Sequence, residues 1–197
     1  MAATIEIEFD DVLDARADAV VLTIDGARRG LEGNIARAFA RRWPDAWTEI
    51  EDSVRYPLAL GNAVAVNPEE ECGFAVVLVA STLHHVDILD TGQKTRLIRA
   101  ALSRVIQLAR LRRVRKLAMA PFTGGWRLEL HEALHAMFQE LRMIGSIENA
   151  PCVALHFRTD ADLRLAVEIA GALDVPLACS IKALERLEGN SASRGDR

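Results

Sequence analysis

Apolar and polar residues change their spacing repeatedly along this chain, and the changes mark out strands and helices in alternation. Residues 4–9 set Ile5, Ile7 and Phe9 against Glu6 and Glu8, the period of a strand with one exposed face. Asp10, Asp11 and Asp14 then read as a short turn. Residues 19–24 form an unbroken apolar and β-branched run, as expected of a strand covered on both faces. From about Asn34, Ile35, Ala36, Ala38, Phe39 and Ala40 recur at helical spacing, with Arg37, Arg41 and Arg42 over much of the opposite face. Pro44 interrupts that helix, and residues 45–54 read as a second one with Trp47 and Ile50 inward.

The alternation continues to the end of the chain. Tyr56-Pro57 is expected to be extended, because proline restricts the residue before it. Residues 59–66 and 74–80 read as strands separated by the acidic turn 67–71. The longest helical pattern is 93–113, with Leu97, Ile98, Ala101, Leu102, Val105, Leu108 and Ala109 on one stripe. A strand over 116–121, a helix over 129–143 and a strand over 152–157 follow. Thr159 is a candidate cap for a helix over 161–173, ahead of a short strand at 175–179 and a short helix at 181–187. Residues 189–197 are small and polar, the composition of a disordered tail.

Strands alternating with helices predict an α/β fold, a mixed and mostly parallel sheet in a three-layer α/β/α sandwich. Two strand-to-helix loops carry glycines: Asp25, Gly26, Gly30 and Gly33 in the first, and Thr123, Gly124 and Gly125 in the second. In such sheets ligands sit at the carboxyl ends of strands, so both loops are expected on that rim. A glycine loop feeding a helix presents backbone N–H groups to an anion. With no internal repeat and no linker, one domain over 1–188 is the economical count.

Composition narrows the picture. At 197 residues, 50% hydrophobic and 26% charged, the chain can bury a substantial core without a staple. Lys and Arg total 24 against 28 Asp and Glu, a net charge of −4, which argues against a dedicated nucleic-acid binder. The local basic run from Arg110 to Lys116 reads as a helix end whose cations complement the dipole. Cys72, Cys152 and Cys179 are widely spaced and form no CxxC pair, so neither a disulfide framework nor a zinc site is expected. No basic leader and no apolar stretch near the ~18 residues of a membrane span is visible, and a reduced cytoplasmic setting is the expectation.

The order and separation of the two loops resemble the macro domain family, which binds ADP-ribose. Gly33-Asn34-Ile35-Ala36-Arg37-Ala38-Phe39 is similar to the GxGIAxxF variant of the terminal ADP-ribose glycohydrolase-like branch. Leu60-Gly61-Asn62-Ala63-Val64 matches the family's GEA strand opening, and Ala120-Pro121-Phe122-Thr123-Gly124-Gly125-Trp126 its second phosphate loop. The similarity covers about residues 4–157, which leaves 158–188 as an extension.

The resemblance implies a ligand and its contacts. Asp11 falls where the family's aspartate accepts from the adenine amine; its plain alternative is a surface turn acid. Gly33, Asn34 and Ile35 would offer N–H groups to one phosphate, while Thr123, Gly124, Gly125 and Trp126 would wrap the other phosphate and the distal ribose. The partner implied is ADP-ribose or an ADP-ribosylated macromolecule, with no cofactor. The departures concern catalysis. The family's NAAN turn reads Leu22-Thr23-Ile24-Asp25 here, the glycines thin to Gly30-Leu31-Glu32-Gly33, and no lysine stands near 79–83 for the branch's nucleophile.

If ADP-ribosyl linkages are hydrolysed, Asp25 is the first choice for positioning or deprotonating a water; its alternative is a turn aspartate bonding nearby N–H groups. A non-catalytic reader that kept the fold is the rival function. A remote third is a zinc peptidase, because His131-Glu132-Ala133-Leu134-His135 matches HExxH literally, with no third ligand in recognisable spacing. His84 and His85 follow a strand and could reach the same rim.

Overall fold

The computed structural model describes residues 4–30, 33–123, 128–144 and 148–189. Its centre is a seven-stranded sheet in the order β3-β4-β2-β5-β6-β1-β7. The strands are β1 (Ile5–Phe9), β2 (Ala19–Asp25), β3 (Ala63–Val66), β4 (Val76–Leu83), β5 (Lys116–Met119), β6 (Cys152–Phe157) and β7 (Leu177–Cys179). Every neighbouring pair is parallel except β3 with β4. The helices are α1 (Asn34–Arg42), α2 (Pro44–Ser53), α3 (Thr91–Leu111), α4 (Leu130–Ile144), α5 (Asp160–Ala172) and α6 (Ile181–Gly189).

Two apolar layers cover the sheet. Ile7, Val21, Leu78, Leu117 and Leu155 point to the side where Leu102 and Ile106 of α3, Leu134 and Phe138 of α4, and Leu163 of α5 pack. Val20, Leu22, Ile24, Val77 and Ala118 point to the other, against Phe39 of α1 and Trp47 and Ile50 of α2. Alternate residues of β2 therefore feed opposite layers and all seven are buried, which explains its unbroken apolar pattern. The three-layer α/β/α architecture is the one the alternation predicts. Among the described residues, no helix is long and apolar enough to cross a membrane.

The structure also redraws several boundaries. Residues 59–62 are turn rather than strand: Gly61 adopts φ +73° and the Asn62 side chain accepts from the Ala63 amide. An apolar run here does not make a strand, because the left-handed residue stops the ladder. The second strand of that pair starts at Val76 and continues to Leu83, two residues later at its start than its hydrophobicity indicates. β5 stops at Met119, ahead of Pro121. Tyr56-Pro57 is a cis peptide. Gly189 closes α6 instead of opening a tail, and residues 190–197 lie outside the described residues.

The strand ends are knotted at the floor of the sheet. The Asp18 carboxylate accepts from the Arg115 and Lys116 amides at 2.8 and 3.0 Å, while the Asp18 carbonyl accepts from Ala75 and Val76. One residue thus fixes the starts of β2, β4 and β5. Those N–H donors, the Lys116 amide foremost, hold the Asp18 carboxyl below its ordinary value.

Candidate functional site

The first glycine loop leaves β2 at Asp25, and two close approaches shape it. A Cβ on Gly26 would stand 2.1 Å from Ser81 Oγ and 2.3 Å from the Leu58 carbonyl oxygen. A Cβ on Gly33 would stand 2.5 Å from the Thr23 carbonyl oxygen, which accepts from the Gly33 amide at 3.1 Å. Only glycine lets the loop return so tightly to the strand it has just left. That return sets the N-terminus of α1 beside the carboxyl end of β2.

Gly33 is the N-cap of α1 and has no side chain to cap it; the first backbone bond of the helix runs from Arg37 N–H to the Gly33 carbonyl at 2.9 Å. The amides of Asn34, Ile35 and Ala36 therefore have no intrahelical acceptor. No acid stands in the first turn, and Arg41 and Arg42 stand in the last. An anion is the natural complement of such an end.

The helix end opens on a cleft of about 520 Å³ across the carboxyl ends of β2, β5 and β6. Thr23, Asn34 and Ile35 form one wall, and Ala120, Pro121 and Thr123 line the next stretch. Leu128, Leu130, Phe157, Arg158, His156 and Asp162 complete it. The two strand-to-helix loops thus meet at one rim. Gly124, Gly125 and Trp126 lie outside the described residues, as do Leu31 and Glu32.

Asp11 stands at the β6 end, outside the cleft lining. It caps a 3₁₀ turn at Val12–Asp14 by accepting from the Leu13 amide at 3.0 Å, and its other oxygen lies 3.7 Å from the Arg158 guanidinium. Asp25 stands apart at the β4 end and does not line the cleft. It is 6% exposed, and its carboxylate accepts from the Ala27 amide at 2.9 Å, the His85 amide at 2.8 Å and the His85 ring Nδ1 at 3.0 Å. A register shift between Ile24 and Asp25 turns the side chain toward that loop. His84 takes a different partner: its Nε2 lies 2.8 Å from the Leu58 carbonyl oxygen.

His131 and His135 do share a face of α4, with ring centroids 6.3 Å apart, and they open on a separate groove with Arg96 and Arg99. Among the described residues, no group of three or more His, Cys, Asp or Glu side chains is placed to hold a metal. Sequence reasoning missed the participation of Arg158, Asp162 and His156. Arg158 and Asp162 flank the cap Thr159, whose hydroxyl accepts from the Asp162 amide at 3.1 Å, and that cap was the available signal.

The layers and the placement of the cleft define a three-layer α/β/α architecture with an open cleft at the carboxyl ends of its parallel strands. No protein-family model matches the sequence, and no curated protein matches it. Solved structures do match. A mutant Oceanobacillus iheyensis macrodomain with ADPR aligns at TM-score 0.72 and 13% identity, over 89% of this chain and 96% of that one. The Trypanosoma brucei macrodomain in complex with ADP aligns at TM-score 0.70 and 14% identity, over 85% and 69%. The macrodomain of Mycobacterium tuberculosis DarG aligns at TM-score 0.61 and 20% identity, over 80% and 99%. The chain has the macro domain fold.

Proposed function

We propose that this chain binds ADP-ribose, free or attached to a macromolecule, with its diphosphate at the N-terminus of α1. The observation that carries this reading is the uncapped first turn, Gly33-Asn34-Ile35, opening on the cleft that Thr123 lines from the second loop. Backbone amides there offer neutral, preorganised donors to an anion without the desolvation cost of a buried lysine. The ADPR and ADP held by two neighbours of the same fold support the ligand class. On this reading Gly124, Gly125 and Trp126 close over the second phosphate and distal ribose, and Asp11 serves the adenine end. The motif likeness to the terminal ADP-ribose glycohydrolase-like branch belongs to the same proposal.

Thermal unfolding with and without ADP-ribose tests it directly. At about 100-fold excess over Kd, a ligand that binds only the folded state adds about 2.7 kcal/mol, a rise of several degrees in Tm. AMP, which lacks the diphosphate, should give a smaller rise. No shift with ADP-ribose removes the proposal.

Hydrolysis is the finer part of the reading. Asp25 already accepts three N–H groups, so the role open to it is to hold His85 at the distal end. Incubating ADP-ribosylated protein with the parent chain and with Asp25→Ala separates the cases. Release by the parent and loss in the variant supports hydrolysis; binding without release makes the chain a reader.

A further inference from the structure

Among the described residues, one buried nitrogen of the cleft wall has no hydrogen-bond partner. His156, on β6 in register with Glu8 of β1, is 5% exposed and lines the cleft beside Arg158 and Asp162. Its Nδ1 lies 2.5 Å from Asp10 Oδ1, and among the described residues its Nε2 has no hydrogen-bond partner. A carboxylate accepts, so Nδ1 must carry a proton in this contact. In the neutral imidazole the lone pair is then on Nε2. Asp10 fixes the tautomer and the ring plane, much as an outer carboxylate orients a metal-bound or catalytic histidine.

A buried acceptor without a donor is costly, and folded proteins satisfy nearly all of them. Here the unsatisfied atom belongs to a residue of the cleft wall. Asp11, the neighbouring acid, is already engaged by the Leu13 amide and stands near the Arg158 guanidinium. We infer that His156 is a ligand-contacting residue, its Nε2 accepting a hydrogen bond from an amine or hydroxyl on the nucleoside end of the bound molecule. The inference rests on the nucleotide reading above, since the α1 end places the phosphates on the β2 side and leaves the β6 side for base and ribose. Asp10 is the positioning residue, and the pair gives the nucleoside end a preference for ligands that donate there.

The test uses the full chain at about pH 8, with ADP-ribose as the probe. Calorimetric titration of His156→Leu should show binding weakened about tenfold, the loss expected for one such bond, with partial recovery in His156→Gln, whose amide oxygen offers a replacement acceptor. Long-range ¹H–¹⁵N spectra of the parent, assigned with His156→Gln, should show an Nδ1-protonated ring whose Nε2 signal moves on ligand addition. A purely structural histidine would leave that signal in place. If the parent binds ADP-ribose while the Leu variant matches it within about twofold and Nε2 is unmoved, the inference is overturned and the nucleotide reading stands. If the parent does not bind ADP-ribose, both go. Should the Leu variant fail to fold, the Nε2 signal of the parent decides.

Discussion

Gly33 is held by contact rather than by conformation. Its φ of −69° suits any residue, yet a Cβ would stand 2.5 Å from the Thr23 carbonyl oxygen. Gly33→Ala must push the first turn of α1 off β2, at a cost of about 1–3 kcal/mol for forced overpacking. ADP-ribose affinity should fall at least about tenfold, because the three free amides move with the turn. Urea unfolding and calorimetry read the two effects separately. Cysteine chemistry is also decided residue by residue. Burial pushes the thiols of Cys72, Cys152 and Cys179 up, and Cys152, beside the Glu6 carboxylate, reaches about 12. The thiolate is the reactive form, so all three thiols should react slowly with a disulfide reagent at about pH 8 and fully after denaturation. Rapid native labelling of Cys152 would contradict a thiol raised by partial burial and the Glu6 carboxylate.

Elements in this fold are fastened by a few directed contacts between their ends. Asp18 joins the starts of β2, β4 and β5, and Lys116 reaches from β5 to Glu6 and Glu8 of β1 at 2.6 and 3.4 Å. The bond from Lys116 lowers the Glu6 carboxyl, and Glu6 in turn raises Lys116. Asp18 and Glu6 are thus both depressed in the folded state. Their contribution is present above the unfolded values of about 3.9 and 4.3 and is lost as pH falls through the lower folded ones. Stability measured by urea should therefore decline below about pH 4, and Asp18→Ala should flatten that decline. The same variant should cost about 1–2 kcal/mol at neutral pH, since two charge-assisted bonds vanish at a site still partly open to solvent. On the other face, α1 is anchored by Phe39, fully buried with ring centroids 4.8 Å from Trp43 and 6.4 Å from Trp47. Phe39→Ala should remove about 3–5 kcal/mol, the range for emptying a buried aromatic site.

At the scale of the molecule, the segment after β6 is built into both the sheet and the cleft. β7 adds to the free edge of β1, and Leu163, Ala166, Ile169 and Ala170 of α5 are buried against the common core. Arg158 and Asp162, in the same segment, line the cleft. We propose that residues 158–188 are part of one folding unit rather than an appended module. Ending the chain at Phe157 should then abolish a cooperative thermal transition, because it strips a full helix face from the core and exposes the β1 edge. A truncated chain that melts cooperatively near the parent's Tm would separate the two parts. The same assembly builds the cleft from strands of distant parts of the chain, with Thr23 at the end of β2 on one side and His156 of β6 on the other.

Periodicity carried most of the architecture. The unbroken run of β2 and the stripe of α3 report local burial, and burial repeats with the geometry of each element, so the order of strands and helices was legible. The glycine loop before α1 was legible for the same reason: a helix that starts on Gly33-Asn34 without a capping side chain announces free amides. The turn at 59–62 was not, because left-handed Gly61 interrupts a run, 59–66, that is apolar apart from Asn62. Nor were the long-range side-chain pairs around the cleft and beside it. Asp10 with His156 and Asp25 with His85 lie 146 and 60 residues apart in the chain, and no local spacing relates them. Asp25 read either as a water-positioning carboxylate or as a turn aspartate bonding nearby N–H groups; its bond to the Ala27 amide has the second character, while its His85 partner comes from a distant loop. Local propensity determines which elements form and where a backbone can offer donors. Which side chains become partners depends on strand order, and strand order is a property of the packed sheet alone.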